Sequence, residues 1–323
     1  MPLYQRRWDV EVPASLRDDL ASAPTAVREY AEVLDVTFGA VEGDEHWAEG
    51  MNFYLNCIRD VDRHIGVVLD ALEASGQADS TVVVFTADHG EMAGSHGLRQ
   101  KANLVYDENF HVPLMISHPD LGALAGSTTA AMASAVDLAP TLLAIAGADS
   151  DEVARDHPGL RGHSLVPAFE GNAVREGVLT AVESITTLDA GFWRHFADEQ
   201  APAQIASGEL RPDWDKRGFL RGYTDERYSF GRYFAALEPN RPGNLDDLYA
   251  RNDVVLYDRV EDPNEMTNLA ADGANADLVD ACRAKLEGLI TEEIGDDSSP
   301  WVTERPNLLG WPTWRGDQQH KSA

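Results

Sequence analysis

The sequence predicts an α/β fold followed by a smaller antiparallel subdomain, and three observations support this prediction. A helical periodicity covers residues 47–75, and a continuous β-branched and aromatic run follows directly at 81–86. A run of this kind is typical of a strand that is buried on both faces of a parallel sheet. After about Gly171 the pattern changes to short strand candidates between polar, Gly- and Pro-containing connections, which is typical of antiparallel sheets.

The composition excludes several classes of protein. The chain has 323 residues, 43% of them hydrophobic, and 26 Lys+Arg against 55 Asp+Glu give a net charge of −29. It is too apolar for a disordered acidic tail, and no apolar run is long enough to span a membrane. The negative charge makes nucleic acids and anionic membranes poor partners. No apolar segment follows Arg6 and Arg7, so no signal peptide is visible and a cytoplasmic location is expected.

Lysine is rare, and its four positions are 101, 216, 285 and 321. An acidic, lysine-poor surface suits a high-salt cytoplasm, where salt screens the repulsion between carboxylates. A GC-rich genome explains the same bias equally well. Two cysteines, Cys57 and Cys282, are too few for a disulfide framework, and they lack the spacing of a zinc site. Each is therefore interpreted as a small, buried apolar residue.

The first half of the chain is expected to form the α/β part. The helix over 47–75 carries an apolar stripe and ends at Gly76; the stripe consists of Tyr54, Ile58, Val61, Ile65, Val68 and Leu72. Residues 112–117 form a second predicted core strand. Asp137 is the expected N-cap of a helix that Gly147 ends.

The second half is expected to form an antiparallel subdomain. Its strand candidates are 178–182, 228–235 and 254–257. A helix over 275–294 closes it, with an apolar stripe of Leu278, Cys282, Leu286, Leu289 and Ile290. A tail with Trp301, Trp311 and Trp314 is expected to pack across a groove. We therefore place the domain boundary between 1–175 and 176–323.

The candidate site begins at Asp88-His89-Gly90, directly after the first predicted strand. In open α/β sheets ligands bind beyond the carboxyl ends of strands. A carboxylate beside an imidazole offers two ligands to a divalent cation, although capping of the following segment is the simpler alternative for an isolated motif. A polar, Gly-punctuated loop leads on to Lys101. A metal and an ammonium group together could neutralise a tetrahedral oxyanion, as in a sulfate or phosphate ester.

These residues strongly resemble the sulfatase family, within the alkaline-phosphatase-like superfamily. Residues 81–101, which include Thr-Ala-Asp-His-Gly, Gly-Ser-His-Gly-Leu and Lys101, resemble its second signature region. Further similar segments follow the same order along the chain: 61–66, 106–114, 136–143, 162–165 and 256–269. The resemblance implies a mixed or parallel sheet sandwiched by helices, incomplete at its N-terminus, plus a small C-terminal antiparallel α+β subdomain.

The resemblance also implies roles for individual residues. Asp88 and His89 would be metal ligands, most simply for Ca²⁺, with Mn²⁺ or Zn²⁺ in phosphonate-cleaving relatives. Lys101 would contact the ester oxyanion. His96 would either contact the substrate or support the site, or else order the loop by a hydrogen bond. His111 stands where the family usually has Arg, so its charge would depend on pH.

One part of the family pattern is missing from the sequence. Sulfatases of this type convert Cys or Ser in a Cys/Ser-x-Pro-x-Arg segment to the formylglycine nucleophile. Neither cysteine fits this pattern, and Ser22-Ala23-Pro24-Thr25-Ala26 lacks the Arg. An Asp pair near the first strand of the family's sheet and a substrate-binding His also have no counterpart. The chain therefore resembles the C-terminal part of a sulfatase, and the isolated chain is not expected to turn over.

Three functions remain open on the sequence alone. The first is hydrolysis of small-molecule sulfate monoesters, with a missing N-terminal portion or another chain completing the site. The second is hydrolysis of phosphonate or phosphate esters on the same scaffold. The third is a non-catalytic binding or scaffold module that keeps the fold and a cation. A parallel sheet without its first strands would expose an apolar edge, so poor solubility or pairing with another chain is expected.

Overall fold

Two separate β-sheets divide the chain. The computed structural model describes residues 4–184, 189–196 and 198–297. The first part contains α1 (Thr25–Phe38), α2 (Asp44–Ala74), β1 (Val83–Thr86), α3 (Asp107–Phe110), β2 (Leu114–Ser117), α4 (Leu138–Ile145) and α5 (Ser150–Asp156). The second part contains β3 (Val178–Val182), α6 (Ala190–Phe196), α7 (Ala201–Ser207), β4 (Arg217–Thr224), β5 (Tyr228–Ala235), α8 (Leu245–Arg251), β6 (Asp253–Asp258) and α9 (Ala276–Glu293). The α/β class is confirmed.

The first sheet differs from the expectation. Strand β1 pairs with β2 in the antiparallel direction, with Val84 opposite Ile116, and these are its two strands within the described residues. The residues of β1 are half-buried, and Thr86 is exposed. The prediction of a strand buried on both faces of a parallel sheet is therefore wrong for this chain. The apolar run signals a need for burial, but no described strand pairs with the second edge of β1 to provide it.

Helix α2 has the predicted length, but its apolar stripe lies at the surface. Of its residues, all of which are described, only Asn52 and Asn56 are buried. Val61 is 55% exposed and Val68 is 67% exposed. The chain ends the helix as predicted, because Gly76 adopts a φ of 70°. The prediction that the stripe packs into a core is wrong within this chain, because no described element covers that face.

The second sheet has the order β3-β4-β5-β6, and every pair is antiparallel. The predicted strands became β3, β5 and β6, and the closing helix became α9. Strand β4 was not predicted. Its residues are buried along almost its whole length, so it shows no alternation of apolar and polar residues.

A hydrophobic core joins the second sheet to α1 and to the chain before α3. Its buried members are Ala23, Ala26, Val27, Tyr30, Leu34, Met92, Leu98, Ala102, Leu104, Val105, Tyr106, Leu220, Tyr233, Val255 and Tyr257. Val105 packs onto the sheet where two glycines face each other across β4 and β5. A Cβ atom on Gly231 would lie 2.5 Å from Cγ1 of Val105, so the contact requires glycine at that position. A second cluster packs α8 and α9 on the other side.

Two arginines lie opposite each other inside the second sheet. Arg221 on β4 pairs in register with Arg232 on β5, which is fully buried. Such like-charged pairs are unfavourable unless carboxylates compensate them. Asp297 lies 2.6 Å from Arg221, and Glu287 of α9 lies 3.3 Å from Arg232. Burial lowers the pKa of Arg232 to about 10, although both carboxylates oppose this shift. The cluster ties Asp297 to the sheet.

Asp137 precedes α4, but its side chain does not cap that helix. Its buried carboxylate instead accepts hydrogen bonds from the amides of Ser134 and His163, both at 2.8 Å, and from Nε of Arg175 at 2.9 Å. The prediction of a side-chain cap is wrong, because the buried guanidinium and a distant amide compete for the same oxygens. The predicted packing of Trp301, Trp311 and Trp314 concerns residues outside the described ranges. Within those ranges, no helix combines the length and apolar character needed to cross a bilayer.

The exposed stripe of α2 predicts the behaviour of a surface variant. Val68→Glu should change the free energy of unfolding by less than about 0.5 kcal/mol, because the side chain is already in water. It should also reduce self-association and binding of a hydrophobic dye, because it interrupts an apolar patch. Urea unfolding, light scattering and dye fluorescence measure these effects. Val279→Glu is the control, because Val279 is fully buried in α9. This variant should lower the free energy of unfolding by several kcal/mol. Equal destabilisation by the two variants would show that the α2 face is packed.

Candidate active site

The turn after β1 brings an aspartate and a histidine side chain together. Oδ2 of Asp88 lies 3.3 Å from Nε2 of His89, and the amide of His89 donates to Oδ1 of Asp88 at 3.1 Å. Nδ1 of His89 is 2.9 Å from the carbonyl oxygen of Gly90, so Nδ1 must carry the hydrogen. In the neutral ring, Nε2 then presents a lone pair beside a carboxylate oxygen. Two electron-rich atoms side by side are stabilised by a cation or a proton between them.

The pair offers too few donors for a complete metal site. The Asp88 side chain is 85% exposed and the His89 side chain is 34% exposed, so both are accessible to a ligand. Within the described ranges, no group of three or more His, Cys, Asp or Glu side chains is arranged to hold a metal. Ca²⁺ takes six to eight oxygen ligands. The two donors therefore fit a fraction of a coordination shell and do not form a complete site.

Gly90 fixes the turn against α3. Its amide donates to the carbonyl oxygen of Asn109 at 2.9 Å, and a Cβ atom at this position would lie 1.9 Å from the carbonyl oxygen of Glu108. No side chain fits there. The glycine that follows the aspartate and histidine is therefore required by a close approach of two backbone segments.

Lys101 lies thirteen residues after Asp88, at the end of the loop that follows the turn. Its side chain is exposed, and it makes no ion pair with the described residues. We call residues 88–101 the site loop. Three non-glycine residues of this loop have left-handed backbone angles, with φ of 46° at Ala93, 54° at His96 and 63° at Gln100. Such strain persists only where surrounding contacts enforce it.

His96 is buried in the middle of the site loop, and its side chain is fully inaccessible to solvent. Its Nδ1 is 2.8 Å from Oδ2 of Asp18, and its ring stacks on Tyr106 with the ring centres 3.8 Å apart. The amide of His96 donates to Oγ of Ser15 at 3.2 Å. A side chain in this position can order the loop, but it cannot reach a substrate without a rearrangement. Nε2 of His96 is buried and has no partner within the described residues.

His111 contacts a carboxylate. Its Nδ1 is 3.0 Å from Oδ2 of Asp107, and Arg259 pairs with the other oxygen of the same carboxylate. The amide of Asp107 donates to Oε2 of Glu265 at 2.7 Å. Glu265 therefore joins the start of α3 to the second sheet, although sequence reasoning missed it. Its left-handed φ of 52° gives no signal in the sequence.

Glu265 is buried, with 2% of its surface exposed, and Oε1 has no partner within the described residues. Burial raises the pKa of Glu265 from its ordinary value near 4.5 to about 7, and the nearby carboxylates of Asp107 and Glu108 add to this. The hydrogen bond from the Asp107 amide opposes the shift. Glu265 is therefore protonated in the folded chain at pH values where it is ionised in the unfolded chain.

The two cysteines lie in helices. Cys57 is in the middle of α2 and is half-buried, and Cys282 is buried in α9 with 2% exposure. The interpretation as a small buried residue holds for Cys282. Neither cysteine is next to the site loop in the sequence.

Comparison with known proteins identifies relatives of this chain. A family model described as Sulfatase matches residues 16–148. An N-acetylglucosamine-6-O-sulfatase of Bacteroides thetaiotaomicron is 29% identical over 68% of this chain and 32% of its own length. An uncharacterized sulfatase of Escherichia coli is 27% identical over 95% of this chain and 50% of its own length. The chain thus spans half or less of the length of these relatives.

A solved structure also resembles the fold. The phosphonate monoester hydrolase of Silicibacter pomeroyi superposes with a TM-score of 0.65 at 25% identity, covering 92% of this chain and 53% of its own.

Gly90→Ala should destabilise the site turn. The added Cβ atom would meet the carbonyl oxygen of Glu108, and we expect a loss of about 2–4 kcal/mol in the free energy of unfolding. Gly66→Ala is the matched control, because Gly66 lies in α2 and a Cβ atom there meets nothing within 4 Å. Alanine at this helical position should raise the free energy of unfolding by about 1 kcal/mol. Urea unfolding measures both. An unchanged free energy of unfolding in Gly90→Ala would contradict the close approach of the Gly90 turn to the backbone of α3.

Glu265→Gln should change how stability depends on pH. A carboxyl group with a raised pKa in the folded state loses stability as pH rises from about 4.5 to about 7. Glutamine keeps an acceptor for the Asp107 amide but cannot ionise. The variant should therefore be more stable than the parent at pH 8, by on the order of 3 kcal/mol, and the difference should disappear near pH 4.5. Urea unfolding of both chains at several pH values gives this difference, and one that is constant with pH would contradict the burial of an ionisable group.

Proposed function

Because this chain belongs to the sulfatase family, of the alkaline-phosphatase-like superfamily, we propose that it contributes one part of a site that hydrolyses sulfate monoesters. The observation that carries the proposal is the convergence of Asp88 and His89 in an exposed turn of the matched region. The relatives that support it are longer than this chain, so the substrate and the activity of the whole protein are parts of the proposal. Small-molecule sulfate esters, including those on aminosugars, are the first substrates to test.

Proteins of this family generally depend on a divalent metal ion. We assign Asp88 and His89 as two of its ligands, with Ca²⁺ as the first candidate and Mn²⁺ or Zn²⁺ as alternatives. An oxygen and an imidazole nitrogen suit any of these ions. A bound ion would supply positive charge beside the ester oxygens. Because two donors are too few, the other ligands would come from elsewhere, and we derive no chemical step through the metal.

Lys101 supplies a second positive charge. Its ammonium group has no carboxylate partner among the described residues, in a chain whose net charge is −29. An unpaired cation at the end of the site loop can bind a sulfate oxygen and stabilise the charge that develops on it. His96 does not share this role in the proposal, because its side chain is fully buried.

The nucleophile is not assigned to this chain. No Cys/Ser-x-Pro-x-Arg segment occurs in the 323 residues, and both cysteines lie in helices. We propose that a further polypeptide, either an N-terminal portion or another chain, supplies the nucleophile and the remaining metal ligands. The exposed stripe of α2 and the half-buried β1 are consistent with such an addition.

A second candidate is the hydrolysis of phosphonate or phosphate esters. The similarity to a phosphonate monoester hydrolase over 92% of this chain favours it. The same donors and the same ammonium group would serve, because sulfate and phosphonate esters are both tetrahedral anions. Rates on matched aryl sulfate and aryl phosphonate esters would distinguish the two once the site is complete.

Metal binding by the chain itself tests the proposal. Asp88→Asn should weaken binding of Ca²⁺ at least tenfold, because it removes the charged ligand, whereas Asp62→Asn on the exposed surface of α2 should leave binding unchanged. Isothermal titration calorimetry measures both, and weak millimolar affinity is expected for two donors. Equal affinities of the parent and Asp88→Asn would reject Asp88 as a ligand and favour a non-catalytic scaffold.

A further inference from the structure

The site loop is held in a strained shape by residues outside the proposed chemistry. Ala93, His96 and Gln100 have left-handed backbone angles although none is a glycine. Each such residue costs on the order of 1 kcal/mol or more, so contacts must compensate for the strain. These contacts identify the residues that hold the backbone at Lys101.

Glu91 connects two parts of the site loop through hydrogen bonds. Its Oε1 accepts hydrogen bonds from the amide of Ala93 at 3.2 Å and from the amide of Gln100 at 2.6 Å. Both donors belong to residues with left-handed angles. A single carboxylate oxygen therefore holds two of the three strained positions, and Gln100 is the residue directly before Lys101.

Tyr30 of α1 binds the backbone at the C-terminal end of the site loop. Its hydroxyl group is 2.6 Å from the carbonyl oxygen of Arg99 and 3.1 Å from the carbonyl oxygen of Lys101. The hydroxyl donates one hydrogen that these two acceptors share. Tyr30 is 4% exposed, so water does not compete freely for these carbonyl groups.

The middle of the loop is held by the segment before α1. Asp18 and Ser15 bind the side chain and the amide of His96 at 2.8 and 3.2 Å. Arg99 adds a bond from its Nη2 to the carbonyl oxygen of Gly39 at 2.8 Å, at the end of α1. The loop is thus attached to α1 and to the chain on both sides of it.

From this geometry we propose that Tyr30 and Glu91 are positioning residues that fix the backbone of Lys101 and so limit the positions that its ammonium group can reach. The inference rests on the proposed oxyanion role of Lys101. Neither residue needs to touch the substrate or the metal. Their contribution is to order the loop before binding, which lowers the entropy cost of binding.

The four lysines make a direct test feasible. Lysine-selective ¹⁵N labelling gives few backbone signals, from Lys101, Lys216, Lys285 and Lys321. Tyr30→Phe removes the hydroxyl and keeps the ring, and Glu91→Ala removes the acceptor oxygen. We expect both variants to lower the NMR order parameter of the Lys101 amide while leaving that of Lys216 unchanged.

Two matched controls separate positioning from a general loss of structure. Glu91→Gln keeps one oxygen that can accept both hydrogen bonds and should restore the order lost in Glu91→Ala. Tyr249→Phe removes a hydroxyl that donates to the carbonyl oxygen of Ala270 at 2.9 Å, far along the chain from the site loop, and should leave Lys101 unchanged. Unaltered order at Lys101 in both Tyr30→Phe and Glu91→Ala would overturn the proposal, as would an equal loss in Tyr249→Phe.

Titration with inorganic sulfate tests the proposed function separately. In the parent chain, sulfate should shift the Lys101 signal, and the dissociation constant should rise about five- to tenfold in Tyr30→Phe and Glu91→Ala. If Lys101 does not respond to sulfate in the parent, its oxyanion role fails, while the order parameters still decide whether Tyr30 and Glu91 hold its backbone. If sulfate binds the parent and both variants equally, positioning is rejected and the oxyanion role stands.

Discussion

The shared core between α1, the site loop and the second sheet is the constraint on which the structure depends. Tyr106 takes part in this core and stacks on His96, so the loop that carries the candidate site is also part of the packing. In many enzymes the functional loop lies over a finished scaffold. Here the loop is one layer of the scaffold, and burial of its apolar residues compensates for its strained backbone angles. The charged residues at its two ends remain at the surface, where a ligand can reach them.

This arrangement depends on a small set of buried polar contacts as well as on the burial of apolar surface. Asp137 with Arg175, and Arg221 with Asp297, are buried ion pairs whose charges are matched by direct contacts. Such pairs contribute little net energy, but loss of one partner leaves an uncompensated charge in the interior. Glu265, by contrast, is buried with a backbone amide as its hydrogen-bond donor.

The sequence allowed much of the local structure to be predicted, because local rules were sufficient there. The helices α2 and α9 follow from apolar periodicity, and the strands β1, β3 and β6 follow from their β-branched runs. The burial of α2 and β1 was predicted wrongly, because apolar patterning states a preference for burial but not which partner provides it. Strand β4 was missed because its interior holds an arginine and a glycine whose partners come from β5 and Asp297. Asp88, His89 and Lys101 were predicted as site residues through a motif. Glu265, Asp18 and Tyr30 act through contacts between distant parts of the chain, and no short pattern contains that information.

The packing of Val105 against Gly231 has a consequence for how this protein can change during evolution. The isopropyl group fills the space that a side chain at position 231 would occupy, so the contact between β5 and the chain that follows the site loop tolerates little independent variation. A side chain at position 231 would meet Val105, so one of the two segments would have to shift. Diversification of specificity would then be confined to surface positions, and transplantation of the loop into another scaffold would require the paired glycines of its underlying strands to move with it.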